Sequence, residues 1–172
     1  MANNKGVTLV EALVTVLLFT LLFGVAVAIL LSSSDSWQLN SVQAELIQER
    51  RKAVEWMKLD LQQGGYTTIT DVPADGNWYN TITFYTATGV SGGNVTWSAD
   101  TVNFSSSGAP LYQLRKTSGA AVKVIANNIQ TLQFRRLAAA PNIVYVSITA
   151  QKNTLKGQAL TATTSFEVKM RN

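Results

Sequence analysis

The side chains that most often perform chemistry in proteins are scarce in this sequence of 172 residues, which contains no histidine and no cysteine. Without cysteine there is no disulfide, no thiolate-bound metal and no thiol nucleophile. Without histidine the chain lacks the commonest general base and the usual ligand of transition metals. Catalysis would depend on carboxylates, lysine, tyrosine or serine, and no constellation of nucleophile, base and electrophile stands out. We expect a protein that is not an enzyme and uses no cofactor.

One carboxylate, that of Glu11, stands at the edge of a long apolar segment. Residues 12–31 read ALVTVLLFTLLFGVAVAILL and contain no charge and only two threonines. A helix of that length spans about 30 Å, the thickness of the apolar interior of a bilayer. A charged group at the boundary of such a segment is expensive and is usually functional or paired. A glutamate near the interface can also simply extend its carboxylate into water.

Two ordinary explanations compete for the apolar segment. A secretory signal peptide would have roughly 7–15 apolar residues, fewer than are present here, and a small-residue cleavage site. No clear site of that kind follows, although Ser32-Ser33-Ser34 keeps this explanation open. A single-pass membrane anchor is the better of the two. The segment also explains much of the low content of charged residues, which is 14% against about 25% in typical soluble domains.

The residues that lead up to Glu11 form a motif. Lys5-Gly6-Val7-Thr8-Leu9-Val10-Glu11, followed by the uncharged segment, resembles the prepilin signature of type IV pilins and type II secretion pseudopilins. The resemblance implies that a membrane peptidase cuts after Gly6 and that the new N-terminus, Val7, is N-methylated. Glu11 then becomes the fifth residue of the mature chain. Phenylalanine or methionine is commoner at the new terminus, so Val7 departs from the usual pattern.

The resemblance also implies a partner for Glu11. In filaments of this family the apolar helices pack together away from water, and a buried carboxylate there needs an opposite charge. The family's partner is the free α-amine of a neighbouring subunit, which exists only after cleavage. The leader would keep the charge of Lys5 on the cytoplasmic side, as the positive-inside bias requires.

The same resemblance implies the partners of the protein and its location in the cell. The partners are other pilin or pseudopilin subunits, the prepilin peptidase, an inner-membrane assembly platform with its motor ATPase, and membrane lipid; no nucleic acid is predicted. The protein would cross the cytoplasmic membrane once, with its head in the periplasm or at the cell surface, and would enter a filament after assembly.

The sequence divides into four parts. These are a leader (1–6), a transmembrane and filament-core helix (7–31), an amphipathic helix that continues into the head (32–65) and a β-rich globular head (66–172). Apolar residues such as Leu46, Ala53 and Leu61 recur at helical spacing in the second helical part. Gly64-Gly65 is a natural helix stop. One helix from Val7 to Gln63 is therefore predicted.

The head reads as short strands separated by turns. Residues 81–86 and 160–170 alternate between apolar and polar side chains, and 143–148 are apolar on both faces, which favours a central strand. The Gly/Ser/Asn-rich stretch 87–109 is expected to be a loop-rich insertion. We predict an α+β, pilin-like fold, in which the long N-terminal helix packs on a C-terminal antiparallel β-sheet head.

Other groups of side chains have competing explanations. Asp71, Asp75 and Asn77 could supply oxygen ligands to calcium, but Asp-Gly-Asn is an ordinary turn sequence and the turn is favoured. Arg50-Arg51-Lys52 and Arg135-Arg136 could contact DNA or anionic lipid. Solvated faces, or salt bridges between subunits, are favoured for both basic clusters.

A more diffuse resemblance concerns the subtype. Asp60-Leu61 after a basic cluster, and the spacing of Ile129, Leu132 and Phe134, are similar to J-type minor pseudopilins and W-type minor pilins. The helix also lacks the proline that major pilins usually carry. The favoured function is a minor pseudopilin of a type II secretion system that acts at the tip to start assembly. The alternatives are a minor or major type IV pilin serving adhesion, motility or DNA uptake, and a single-pass membrane protein with a ligand-binding head.

Overall fold

The described part of the chain consists of one long helix followed by antiparallel strands. The structure, a computed structural model, describes residues 8–91, 94–109 and 112–171. The helix α1 covers Leu9–Gln63, and a short 3-10 helix follows at Tyr66–Thr68. The strands are β1 (Thr81–Ser91), β2 (Asn94–Ser106), β3 (Leu114–Ser118), β4 (Ala121–Ala126), β5 (Ile129–Leu137), β6 (Ala140–Asn153) and β7 (Ala159–Lys169). The predicted α+β fold is confirmed, whereas the predicted start of the helix at Val7 lies outside the described residues.

Within the described residues, the strands form two sheets in which all neighbouring strands are antiparallel. One sheet has the order β1-β2-β3-β4 and the other β5-β6-β7. The expectation of a loop-rich insertion at 87–109 is wrong over most of its length, because β1 extends to Ser91 and β2 starts at Asn94. The pairing of β1 with β2 accommodates the irregular sequence through register shifts between Tyr85 and Gly89. Backbone pairing with a neighbouring strand here overrides a composition that is poor in strand formers.

The chain divides after Ser41 into two units. In the second unit, the part of α1 from Val42 onward packs against the sheets. Its side of the core consists of Leu46, Ala53, Met57 and Leu61, which follow one another at intervals of seven, four and four residues. This spacing places them on one face of a helix. The sheets contribute a large set of buried residues that includes Phe84, Phe104, Phe134, Val146 and Ile148.

Gly64, the residue after α1, lies where no side chain fits. A Cβ atom on Gly64 would lie 2.5 Å from the ring of Phe84 and 2.7 Å from Met170, distances that no real carbon contact tolerates. The backbone of Gly64 pairs with Thr86, so the chain passes directly over the core as it leaves α1. The predicted stop is confirmed, but close approach to the core explains the glycine.

Two buried acidic side chains attach α1 to the sheets. The buried carboxylate of Asp60 pairs with Lys116 of β3, with 2.7 Å between Oδ2 and Nζ. Glu49 is also buried, and its Oε2 accepts a hydrogen bond of 2.7 Å from the backbone N–H of Asn127, between β4 and β5. Its Oε1 accepts a second bond of 2.7 Å from Lys52. Both carboxylates therefore join residues that are distant in sequence.

Replacing Glu49 by glutamine is expected to remove a pH-dependent contribution to stability. Burial raises the pKa of Glu49, but hydrogen bonds from Lys52 and Asn127 and the charges of Lys52 and Lys152 lower it by more, so the pKa lies below its ordinary value of 4.5. The carboxylate therefore stabilises the folded state fully above pH 4.5, and this contribution is lost as the pH falls through the lower pKa of the folded state.

Urea denaturation of the two proteins between pH 7 and pH 3 measures this effect. The free energy of unfolding should differ by about 1–3 kcal/mol at pH 7, and the difference should shrink as the pH falls below 4.5. Glu55→Gln is the matched control on the same helix, because Glu55 pairs with Arg51 at the surface and such pairs contribute at most about 1 kcal/mol. A difference at Glu49 that stays constant with pH would contradict the assignment.

Arg136 of β5 is a buried cation. Its Nε donates to the carbonyl of Val72 at 2.7 Å, and its Nη1 donates to the carbonyls of Tyr66 and Pro141 at 3.0 and 3.2 Å. Burial lowers the pKa of the guanidinium below its ordinary value, although an arginine remains charged. The expectation that Arg135-Arg136 forms a solvated face is therefore wrong for Arg136, which ties the segment after α1 to the β5–β6 hairpin.

Candidate functional site

Glu11 lies in the first turn of α1 and forms a reciprocal cap with Thr8. The backbone N–H of Thr8 donates to Oε2 of Glu11 at 2.8 Å, and the hydroxyl of Thr8 donates to the same oxygen at 2.9 Å. The N–H of Glu11 in turn donates to the hydroxyl of Thr8 at 3.2 Å. This arrangement is a capping box, in which two side chains satisfy backbone N–H groups that have no partner within the helix.

Thr8 is a helix-capping residue that the sequence analysis above did not single out. Its signal is present in the sequence, because Thr8-Leu9-Val10-Glu11 matches the S/T-x-x-E pattern of a capping box ahead of an apolar run. The box uses only Oε2 of Glu11. Oε1 therefore has no hydrogen bond to a residue that the structure describes, and a carboxylate can accept further bonds there.

The helix after Glu11 presents apolar side chains on all sides. Residues 12–31 are exposed throughout, and large side chains such as Leu17, Phe19 and Leu30 expose 61%, 68% and 68% of their surface. Within the described residues, α1 is the one helix whose length and composition suit a membrane crossing. An apolar surface of this size is unstable in water and marks contact with lipid or protein.

The two threonines of the apolar segment have their hydroxyls satisfied within the helix. Thr15 donates to the carbonyl of Glu11 at 2.7 Å, and Thr20 donates to the carbonyl of Leu17 at 2.8 Å. A hydroxyl without a partner would be costly in an apolar medium. These bonds make the segment compatible with lipid or with closely packed helices despite its polar residues.

The motif at the start of the chain is identified by comparison with known proteins. Residues 1–27 match the family described as the prokaryotic N-terminal methylation motif. The chain carries the prepilin signature of type IV pilins and pseudopilins. This prepilin signature supports a type IV pilin-like subunit with an N-terminal helix, and it implies processing by prepilin peptidase and assembly with other pilin subunits. No curated protein matches the chain, and no solved structure matches it.

The described structure covers part of the prepilin signature. Gly6 and Val7, the residues of the expected cut and of methylation, lie outside the described residues, whereas Glu11 lies within them. The structure thus places Glu11 directly before the exposed apolar segment of α1, and one of its carboxylate oxygens caps the first turn of the helix. Its pairing with the amine of another subunit stays a prediction.

The candidate calcium residues are engaged in the turn before β1. Asp71 accepts bonds from the N–H and hydroxyl of Thr83 at 2.7 and 2.8 Å. Asp75 accepts bonds from the Tyr79 hydroxyl at 2.6 Å and from the Asn77 N–H at 2.9 Å. These bonds lower the pKa of Asp75, with the largest contribution from Tyr79. No cluster of three acidic residues suited to a metal occurs in the described part of the chain, and the expectation of a turn without a cofactor stays a prediction.

The basic clusters have partners within the chain. In the first cluster, Arg51 pairs with Glu55 and Lys52 with Glu49, each at 2.7 Å. In the second, the guanidinium of Arg135 lies 4.7 Å from the ring centre of Trp78 and 5.4 Å from that of Tyr145. These contacts assign Arg51 and Lys52 to the helix surface and Arg135 to the outer face of the β5-β6-β7 sheet.

Proposed function

We propose that the protein is a pilin-like structural subunit that is cleaved between Gly6 and Val7, methylated at Val7 and polymerised through its N-terminal helix. The observation that carries this proposal is the position of Glu11, within the matched motif, directly before residues 12–31 of the helix, which are exposed and uncharged. In this proposal the helix first anchors the subunit in the cytoplasmic membrane and then packs in the filament core, with the head outside the cytoplasm.

The proposed role of Glu11 is to accept the new α-amine of a neighbouring subunit. Oε1 of Glu11 can pair with that amine while Oε2 continues to cap the first turn of the helix. An uncleaved subunit has no α-amine at Val7. The Glu11 carboxylate of its neighbour would therefore stay unpaired among apolar helices. Such an unpaired charge costs several kcal/mol, which is enough to exclude unprocessed subunits from a filament.

The favoured subtype is a minor pseudopilin at the tip of a type II secretion pseudopilus. Support comes from the absence of proline between Leu9 and Gln63 and from the resemblance of Asp60-Leu61, which follows a basic cluster, to J-type minor pseudopilins. The assembly platform, its motor ATPase and membrane lipid are the partners that this subtype requires. Secretion and pilus systems use the same motif, and the genes that neighbour this one would separate them.

Intact mass spectrometry of the membrane-extracted protein tests the processing step. The expected mass is that of residues 7–172 plus one methyl group, because cleavage follows Gly6 and methylation follows cleavage. Gly6→Leu is the matched control, and its mass should remain that of the uncleaved chain. An intact chain that starts at Met1, or a cut near Ser32, would contradict the proposal and would favour an anchor or a secretory signal peptide.

A further inference from the structure

A small polar pocket opens in the head, far along the sequence from the prepilin signature. Its volume is about 250 Å³, less than the roughly 300–1,000 Å³ of pockets for drug-sized ligands. It lies between the segment before β3, the β4–β5 turn, the start of β5 and the end of β6. Six side chains line it: Tyr112, Asn128, Gln130, Gln151, Lys152 and Asn153.

The backbone is irregular at three places around this pocket. Tyr112 and Asn128 have φ angles of 43° and 61°, and within the described ranges they are the two non-glycine residues with positive φ. The pairing of β5 with β6 shifts register between Ile129 and Thr131, at Gln130. Asparagine adopts positive φ readily in turns, but a bulky residue such as Tyr112 rarely does. Strained residues and bulges concentrate at functional sites, where they aim side chains.

Backbone hydrogen bonds hold these irregular residues in place. The N–H of Ile129 donates to the carbonyl of Tyr112, and the N–H of Gln151 donates to the carbonyl of Asn128, at 2.7 and 2.8 Å. The three chain segments around the pocket are thus bonded to one another. The pocket is a formed feature of the folded head.

The pocket is rich in unused hydrogen-bonding groups and has no unpaired charge. Lys152 pairs with Glu45 of α1, and the amide of Asn128 donates to the same carboxylate at 3.3 Å. The side-chain amides of Gln130, Gln151 and Asn153 make no hydrogen bond to any residue that the structure describes. Each of these amides can donate and accept, and the ring of Tyr112, which is 38% exposed, adds an apolar face.

We propose that this pocket binds a single ring of a neutral sugar. Each sugar hydroxyl both donates and accepts a hydrogen bond, which matches the carboxamide side chains. The C–H face of a sugar ring suits the ring of Tyr112, and one ring suits the small volume. An anionic ligand is not expected, because Glu45 already pairs with the cation of the pocket. The proposal stands whether or not the chain enters a filament.

Amide NMR of the full chain tests this proposal. The protein is placed in a phosphocholine detergent, since maltoside detergents would themselves offer sugar rings. It is titrated with galactose, mannose and N-acetylglucosamine while the side-chain amide signals are followed. Saturable shifts confined to Asn128, Gln130, Gln151 and Asn153 are expected for at least one sugar. The absence of saturable shifts with all three sugars would overturn the proposal, as would binding of glycylglycine amide alone.

Two variants of the pocket and one control variant separate binding from folding. Asn128→Gly removes the amide but suits the positive φ, so the unfolding temperature should stay close to that of the parent. Gln130→Leu removes an amide from the pocket, whereas Gln133→Leu removes one from the same strand outside it. We expect Asn128→Gly and Gln130→Leu to weaken sugar binding by about 3- to 10-fold and Gln133→Leu to leave it unchanged. Equal affinity in all three variants would contradict the site.

Discussion

Replacing Glu11 by glutamine is expected to leave the protein in the membrane and to exclude it from filaments. Glutamine can still cap the helix, because its side-chain oxygen can accept the bonds from Thr8 that Oε2 accepts now. It cannot neutralise an α-amine. An unpaired amine buried among apolar helices costs several kcal/mol, so incorporation should fall by at least about tenfold. The measurement is the ratio of protein in sheared filaments to protein in membranes.

A substitution of the other capping residue separates the role of the charge of Glu11 from its role in capping the helix. Thr8→Val keeps the shape of the side chain and the carboxylate of Glu11 but removes the hydroxyl, which donates one bond of the cap and accepts another. Loss of an N-cap costs about 0.5–2 kcal/mol, which the long helix can absorb. We therefore expect Thr8→Val to assemble at close to the parent level. Glu11→Ala, which loses both functions, should fail like Glu11→Gln.

The opposite pattern would identify a different role for Glu11. If Glu11→Gln assembles normally and Thr8→Val does not, then the carboxylate acts by starting the helix, and pairing with an amine is excluded. Membrane fractionation of every variant is the control, because residues 12–31 are unchanged and insertion should not depend on Glu11. A variant that is missing from the membrane would report a failure of insertion instead of assembly.

Replacing Arg136 by methionine is expected to destabilise the head by about 3–5 kcal/mol. Methionine retains much of the apolar volume but leaves the carbonyls of Tyr66, Val72 and Pro141 without the donors they have now. Each buried acceptor that loses its bond costs about 1–3 kcal/mol. Thermal and urea denaturation of the full chain in detergent would measure the change.

The neighbouring arginine is a matched control. Arg135 belongs to the same strand and stacks on Trp78 and Tyr145 on the outer face of the sheet. A partly exposed cation–π contact contributes about 0.5–1 kcal/mol, so Arg135→Met should cost much less than Arg136→Met. Similar losses at both positions would show that the three carbonyl contacts of Arg136 do not carry its contribution.

The sequence predicted best those features that local periodicity determines. The alternation of residues 160–170 and the apolar run 143–148 predicted strands that correspond to β7 and part of β6. The spacing of Leu46, Ala53 and Leu61 predicted which face of α1 enters the core. Glu11 was recognisable because its charge contrasts with twenty uncharged neighbours and because the residues around it form a motif.

Features that depend on distant residues were not predictable in this way. The doublet Arg135-Arg136 reads as a polar surface, and Arg136 is buried only because Tyr66, Val72 and Pro141 bring their carbonyls to it. The pairing of β1 with β2 within residues 87–109 depends on backbone hydrogen bonds, which the amino-acid composition of this stretch does not indicate. The pocket around Tyr112 joins segments whose proximity only the fold establishes.

The capping box at Thr8 and Glu11 bears on how maturation can work. Both side chains lie on the retained side of the expected cut, with Val7 alone between the cut and the cap. The hydrogen bonds that begin the helix can therefore be the same in precursor and product. Maturation would then act as a switch without a conformational change. The fold would stay the same, and the new charge of the α-amine alone would determine whether the subunit enters a filament.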